Sequence, residues 1–423
     1  MLLEKYVKEY KYLNCKNIAV ITVCVWVIVQ MILIWYFWDV KQRSDQGAYL
    51  EMAAKCYDQG VWYPNVGEVY SDMMWAPGLI NLLILELKLF GSFKVNFFLN
   101  LLMNIGILWN MWYLAKRLFN QQTAYVAVIM FCLTYSNILC VLPAGTEIPF
   151  LFLSLTAFSL ALRRNVSLLM IAGVLLALAN WIRPLAIIFL VVILLYLLVK
   201  KVPFKCYVAL VIPLLVTVLL IGFSAKQRMG YFVYQSTSSG INLVMTSNDK
   251  AYGGVAMSLF YDKTQPIYIK DRFQYTYLQK DSIWKARSIE WIKSHPAKYA
   301  GLYLIKLGGL FIEDSWADRP IVGGFRVVDK TVYGRMDKTS LYQRIPLMLL
   351  KSLVYYFVLI MFLISVFKYW KEILSDKGYV LLIFALGVLS TCIFSISPRY
   401  HYPFMFAVYL WAAYGISKWK TNS

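Results

Sequence analysis

Charge is scarce in this chain of 423 residues: Asp, Glu, Lys and Arg together supply 15%, against 60% hydrophobic residues. With a mean hydropathy of +0.60, that scarcity excludes an ordinary soluble domain and places the polypeptide in lipid. Acids are rarer than bases, 22 against 42, leaving a formal charge of +20. The bases stand in short clusters between apolar runs. No soluble basic face is therefore available to a nucleic acid, and membrane topology accounts for the clusters. The seven cysteines, Cys15, Cys24, Cys56, Cys132, Cys140, Cys206 and Cys392, lie mostly within or beside apolar runs, with no C-x-x-C spacing and an odd total. Neither a disulfide framework nor a zinc site is indicated. Also missing is a small-residue cleavage site after the first apolar run, Ile18 to Trp38, which follows a Lys-bearing amphipathic leader. It reads as a retained helix and not as a signal peptide. No internal repeat relates the two halves.

What is present is a series of apolar runs near or above the roughly 20 residues that a helix needs to cross a hydrocarbon core. One piece is ambiguous: Leu79 to Phe90 follows Pro77-Gly78, carries Glu86 and Lys88, and is short for a span. Charge decides its place, because short cytoplasmic loops collect Lys and Arg. If the piece lies in the interface, Lys116/Arg117, Arg163/Arg164, Lys200/Lys201/Lys205, Lys368/Lys371/Lys377 and Lys418/Lys420 all share a side with Lys5, Lys8, Lys11 and Lys16. The sequence then predicts an all-α polytopic membrane protein with ten spans, near 18–38, 95–115, 122–141, 148–162, 166–181, 184–199, 206–223, 345–367, 379–396 and 402–417. Both termini are expected in the cytoplasm. Residues 1–223 form an N-terminal transmembrane module that includes the outer loop 39–94. Residues 224–344 form an extracytoplasmic region with an interfacial helix, and 345–423 hold the C-terminal spans.

Four charged residues fall at the outer ends of these spans: Asp45 in SDQGAYLEMA, Glu147 in AGTEIPF, Arg183 in NWIRPL and Arg399 in SPRYHYP. Charge at such depth is costly, so these residues are expected to pair or to line a wet cavity. Pro149, Pro184 and Pro403 follow closely, which suits helix mouths, where a fixed φ costs no helical hydrogen bond. Simpler roles stand beside a functional one. Asp45 could be a solvated acid, and Asp39 competes with it; Glu147 could pair Arg183 to hold two helix ends. Arg399 and Lys351 could snorkel, and His401 reads as a hydrogen-bonded interfacial residue. His295 caps or turns a loop helix.

In order and sidedness, the Asp after the first span, WAPGLINLLILELKLFG, TEIPF, IRPL, SIEWIKSHPAKYAGLYLIKLG and PRYHYP resemble the GT-C superfamily of membrane glycosyltransferases, in the branch of protein O-mannosyltransferases and the aminoarabinose transferase of lipid A. The resemblance covers most of the chain. It implies a GT-C-like helical bundle, with interfacial helices in the first outer loop and a long second one. It also implies an inverting transferase that takes a sugar from a polyprenyl phosphate at the outer leaflet to a hydroxyl of a glycolipid, glycan or protein. Under that reading Asp45 is the candidate base, and Glu147 orients the acceptor or a metal. Arg183 and Arg399, with Tyr400, His401 and Lys306, meet the lipid phosphate. The resemblance names no certain cofactor beyond the polyprenyl-phosphate sugar as donor substrate; a divalent metal is compatible with the site. The absence of a DxD-type nucleotide-sugar motif agrees with a lipid-linked donor. Two departures stand out: Asp45 is followed by Gln46 where relatives often carry a second acid, and Trp75-Ala76 replaces the usual basic residue before the loop proline. A flippase, a polysaccharide polymerase or ligase, and a structural scaffold are the competing classes.

Overall fold

The structure, a computed structural model, describes residues 2–69, 71–255, 257–322 and 338–419. Residues 323–337 of the second outer segment and Lys420 of the last basic cluster lie outside the described residues. Within them the chain is built of α-helices and short 3-10 turns, with no β-strand.

The first helix, α1 (Leu2–Tyr36), shows how the apolar runs fold. Ala19, Trp26, Gln30 and Ile34 recur at helical spacing and are buried, whereas Ile21, Val25, Ile28 and Ile32 are exposed. A helix that presents apolar side chains outward needs a lipid surround. Toward the bundle, Trp26 Nε1 and Gln30 Nε2 both donate to the Asn137 carbonyl, at 3.0 and 2.8 Å.

Next come α2 (Asp45–Asp58), α3 (Pro77–Phe90), α4 (Val95–Leu118), α5 (Gln121–Leu133) and α6 (Tyr135–Leu139). They are followed by α7 (Glu147–Ala161), α8 (Val166–Ile182), α9 (Ala186–Val199) and α10 (Phe204–Met229). The outer segment contributes α11 (Ser239–Val244), α12 (Tyr277–Ser294), α13 (Pro296–Leu310) and α14 (Arg319–Val322). The chain closes with α15 (Lys338–Lys351), α16 (Leu353–Lys368), α17 (Gly378–Thr391) and α18 (Met405–Trp419). Each expected span coincides with one or two of these helices. Among the described residues, three are long and apolar enough to cross a membrane by length and composition alone, Cys15–Tyr36, Val95–Leu118 and Phe204–Met229; α15 and α16 make a fourth, bent by 61°, if taken together. Five others are apolar helices of 10–17 residues. The run expected over 122–141 breaks at Thr134, and its last part becomes α6 and a buried loop leading to Glu147.

Small residues set the closest approaches. A Cβ on Gly173 of α8 would lie 2.2 Å from the Leu210 carbonyl oxygen of α10, so the two backbones meet there. A Cβ on Gly78 would lie 2.8 Å from the Ile182 nitrogen, which seats the start of α3 against the end of α8, next to Arg183. The helix over 77–90, read as interfacial, packs on α2 and α8 and ends on left-handed Gly91.

The bundle has two chemically different ends. At one, Arg117 Nη2 and the Tyr196 hydroxyl both donate to the Leu162 carbonyl, Lys200 pairs with Asp376 at 2.7 Å, and Thr123 bonds Ser417 at 3.0 Å. The basic turns therefore gather together. The helix mouths at 45, 147, 183 and 399 gather at the other, where the two outer segments also pack on each other. Met74 exchanges hydrogen bonds with Thr237, Tyr277 N donates to the Val69 carbonyl at 2.8 Å, and Asp72 pairs with Arg272 and Lys280 at 3.2 and 3.4 Å. Tyr49, Ile80 and Leu83 from the first segment share an apolar cluster with Met229 and Tyr277.

Candidate functional site

Two acids open helices in this cluster. Asp45 starts α2 and Glu147 starts α7, where unpaired backbone N–H groups favour negative charge. Arg183 follows the end of α8, where the exposed carbonyls favour a cation, and Arg399 sits in the 3-10 turn Pro398–Phe404. Asp45, Glu147 and Arg183 thus suit the helix ends that carry them, whereas Arg399 lies in the first turn of its 3-10 segment and is balanced by the two acids.

The side chains converge. Arg399 Nη2 pairs with Asp45 Oδ2, and Arg399 Nε stands 3.6 Å from Glu147 Oε1. Arg183 Nη1 donates to that same oxygen at 3.1 Å. The Tyr400 ring lies against both cations, its centroid 5.1 Å from the Arg183 guanidinium carbon and 5.3 Å from that of Arg399. Tyr49 closes one side, edge-on to Trp75 at 5.5 Å, and burial, helped by the Asp45 charge, drives its phenol pKa up. Side-chain exposure separates the acids: 29% for Asp45 and 2% for Glu147. Of the two acids, Asp45 is the one open to solvent. Arg399 is 7% exposed and ion-paired, which rules out the snorkelling alternative. Asp39 is 83% exposed and paired with Lys94 at 2.5 Å, so of the two acids it is Asp45 whose side chain joins this cluster.

The remaining candidates stand apart. His401 is fully buried; its Nδ1 donates to the Leu310 carbonyl at 2.7 Å, Nε2 faces Asp314 Oδ1 at 3.4 Å, and Phe311 and Tyr355 stack on its ring. It anchors the turn that presents Arg399, as a hydrogen-bonded structural residue would. Lys306 Nζ donates to the Ile393 carbonyl at 3.2 Å and lies over Tyr299 and Tyr303, with no contact to the four charges. Burial pulls its pKa down to about 8. Lys351 does not snorkel: it pairs with Asp318 at 2.6 Å, with both side chains largely buried. His295 caps the end of α12 as expected.

Sequence reasoning missed the acids of FIEDSWAD. Asp314 accepts from the Ser136 hydroxyl and Asp318 from the Tyr135 hydroxyl, and both help hold α6 against the segment after α13. Three acids within six residues of an acid-poor chain were the available signal. No group of three or more His, Cys, Asp or Glu side chains that could hold a metal ion occurs among the described residues.

The family model described as dolichyl-phosphate-mannose-protein mannosyltransferase matches residues 76–226, a stretch that holds Glu147 and Arg183 but neither Asp45 nor Arg399. Two structures of the oligosaccharyltransferase of Archaeoglobus fulgidus superpose at 13% identity. The apo form has a TM-score of 0.51, with 99% of this chain and 51% of that one covered; the AglB complex with an inhibitory peptide and a dolichol-phosphate has a TM-score of 0.50, with 98% and 51% covered. The fold is that of the GT-C glycosyltransferases. This chain spans about half the length of those oligosaccharyltransferase structures. ArnT from Cupriavidus metallidurans bound to undecaprenyl phosphate gives 11% identity over 95% of this chain and 78% of that one, and its TM-score of 0.40 carries no argument. No curated protein matches the sequence.

Proposed function

We propose that this protein is an inverting glycosyltransferase that moves a sugar from a polyprenyl phosphate to an acceptor hydroxyl on the extracytoplasmic face of the cytoplasmic membrane. The observation that carries this reading is Arg399, nearly buried, held between Asp45 and Glu147 at the mouths of helices whose other ends carry the basic turns. Lipid-phosphate chemistry appears in the description of the family matched over 76–226, and a dolichol-phosphate is bound in one of the similar structures. A guanidinium suits such a group, because its planar fork can meet two phosphate oxygens at once.

The Asp45–Arg399 pair has a direct chemical meaning. When the donor phosphate engages Arg399, it competes with Asp45 for the guanidinium, and the carboxylate is released toward the acceptor. The acceptor oxygen then forms a bond to the anomeric carbon as the bond from that carbon to the phosphate oxygen breaks on the opposite face. Its proton passes to Asp45, and the electron pair leaves with the lipid phosphate, whose growing charge meets Arg399 and Arg183. Glu147 is too enclosed to touch the acceptor; it acts as a positioning residue that holds the two guanidiniums side by side. The partners are membrane lipid, the lipid-linked donor and a glycan, lipid or protein acceptor.

Mass spectrometry of surface glycans and glycoproteins from a strain lacking the protein tests this. Loss of one sugar at a defined linkage is expected. Accumulation of a complete lipid-linked saccharide with no missing linkage would instead identify a transport function.

A further inference from the structure

Asp45 and Glu147 lie on segments about one hundred residues apart, and the ion pairs through Arg399 are the links that donor binding would disturb. A second link bypasses Arg399. Gln42, three residues before Asp45, donates from Nε2 to the Leu142 carbonyl at 2.9 Å and accepts from the Ala144 amide on Oε1 at 3.3 Å. The loop it holds, 141–146, is buried throughout and delivers Glu147 to the start of α7. Two more of its carbonyls are met by Asn100 of α4, whose Nδ2 reaches Val141 O at 3.2 Å and Pro143 O at 3.1 Å. Two side-chain amides thus do for this loop what a neighbouring strand does in a sheet. Buried backbone groups left unpaired are costly, so the loop is held firmly in place. On the other side of Gln42, its carbonyl lies 3.0 Å from where a Cβ on Gly47 would stand, so the first turn of α2 rests closely on the Gln42 backbone.

We infer that Gln42 is a positioning residue for transfer: it fixes the Asp45 segment against the Glu147 loop and keeps the base in place after the donor phosphate has drawn Arg399 away. The inference rests on the transferase reading above. Misplacement of a reacting group by about 1 Å can cost about 100-fold in rate.

The test compares wild type with Gln42→Met, which keeps the side-chain length and removes the amide, in the full-length protein in nanodiscs. Hydrogen exchange of the peptide spanning 141–147 is read beside steady-state kinetics with a polyprenyl-phosphate sugar. Faster exchange is expected, with kcat lowered about 10- to 100-fold and donor KM and the melting temperature little changed. Gln42→Glu keeps the acceptor for Ala144 N and loses the donor to Leu142 O, so its exchange is expected to lie between the two. Unchanged exchange in Gln42→Met would show that the link is not made, and faster exchange with unchanged kcat would show that it does not position the base. A parallel loss of kcat, donor affinity and melting temperature would make Gln42 an ordinary structural residue. If wild type transfers no sugar, the transferase reading fails on its own, while the exchange measurement still reports on the link.

Discussion

At the scale of single residues, the account turns on which charges are replaceable. Arg399 serves through geometry as much as charge, so Arg399→Ala is expected to weaken donor binding and Arg399→Lys to restore only part of it, because the fork is lost while the cation stays. Equal donor affinity in wild type and Arg399→Ala, measured by equilibrium binding of a polyprenyl phosphate, would remove that role. Lys306 offers a different check. Its pKa in the folded protein is pulled down to about 8 from an ordinary value near 10.5, so between those values the unfolded chain binds the extra proton. Stability from this group therefore rises with pH across that window, and the ammonium is a burden below about 8. Lys306→Met should melt higher than wild type at pH 7, and the gap should close as pH passes from 8 toward 10 in thermal unfolding in detergent. The residue types at the helix mouths were legible, because acids, arginines and prolines at the ends of apolar runs are conspicuous in so apolar a chain. Their pairing was not: Asp45 and Arg399 are 354 positions apart, and no local pattern encodes such a contact. For the same reason the partners of Lys306, a carbonyl and two rings, could not be told from a phosphate.

At the scale of elements, close helix packing and buried ion pairs carry the structure that presents the site. Gly173→Val would drive a side chain into the Leu210 carbonyl and force α8 from α10, with an expected loss of about 1–3 kcal/mol in thermal unfolding. Lys351→Met would strand Asp318 beside the bend between α15 and α16, at a cost of about 3–5 kcal/mol. An unchanged melting temperature in either variant would show that the contact is not made in the membrane. The elements themselves were largely readable from apolar periodicity, including the helix over 77–90, which its leading Pro77-Gly78 and charged Glu86 and Lys88 set apart. The break at Thr134 was not. Its cause is tertiary: the residues beyond it give up a longer helix so that Ser136, Asn137 and the loop before Glu147 can meet α1, the 313–318 segment and Gln42.

At the scale of the whole molecule, the separation of basic turns from the charged helix mouths states a topology. Cysteines placed at 117 and 164, in a background without the native cysteines, are expected to resist an impermeant thiol reagent in intact cells and to react after permeabilisation. Labelling in intact cells would reverse the assigned sides. That the basic turns gather at one end of the bundle was legible because charge clusters between spans mark it; the packing of segments 39–94 and 224–344 on each other was not, since the contacts of Asp72 with Arg272 and Lys280 link positions some 200 residues apart. The most direct test of the central claim is sugar transfer by Asp45→Asn in proteoliposomes containing a polyprenyl-phosphate sugar, with donor binding measured in parallel. The account predicts donor binding retained and transfer abolished; transfer at the wild-type rate would contradict it.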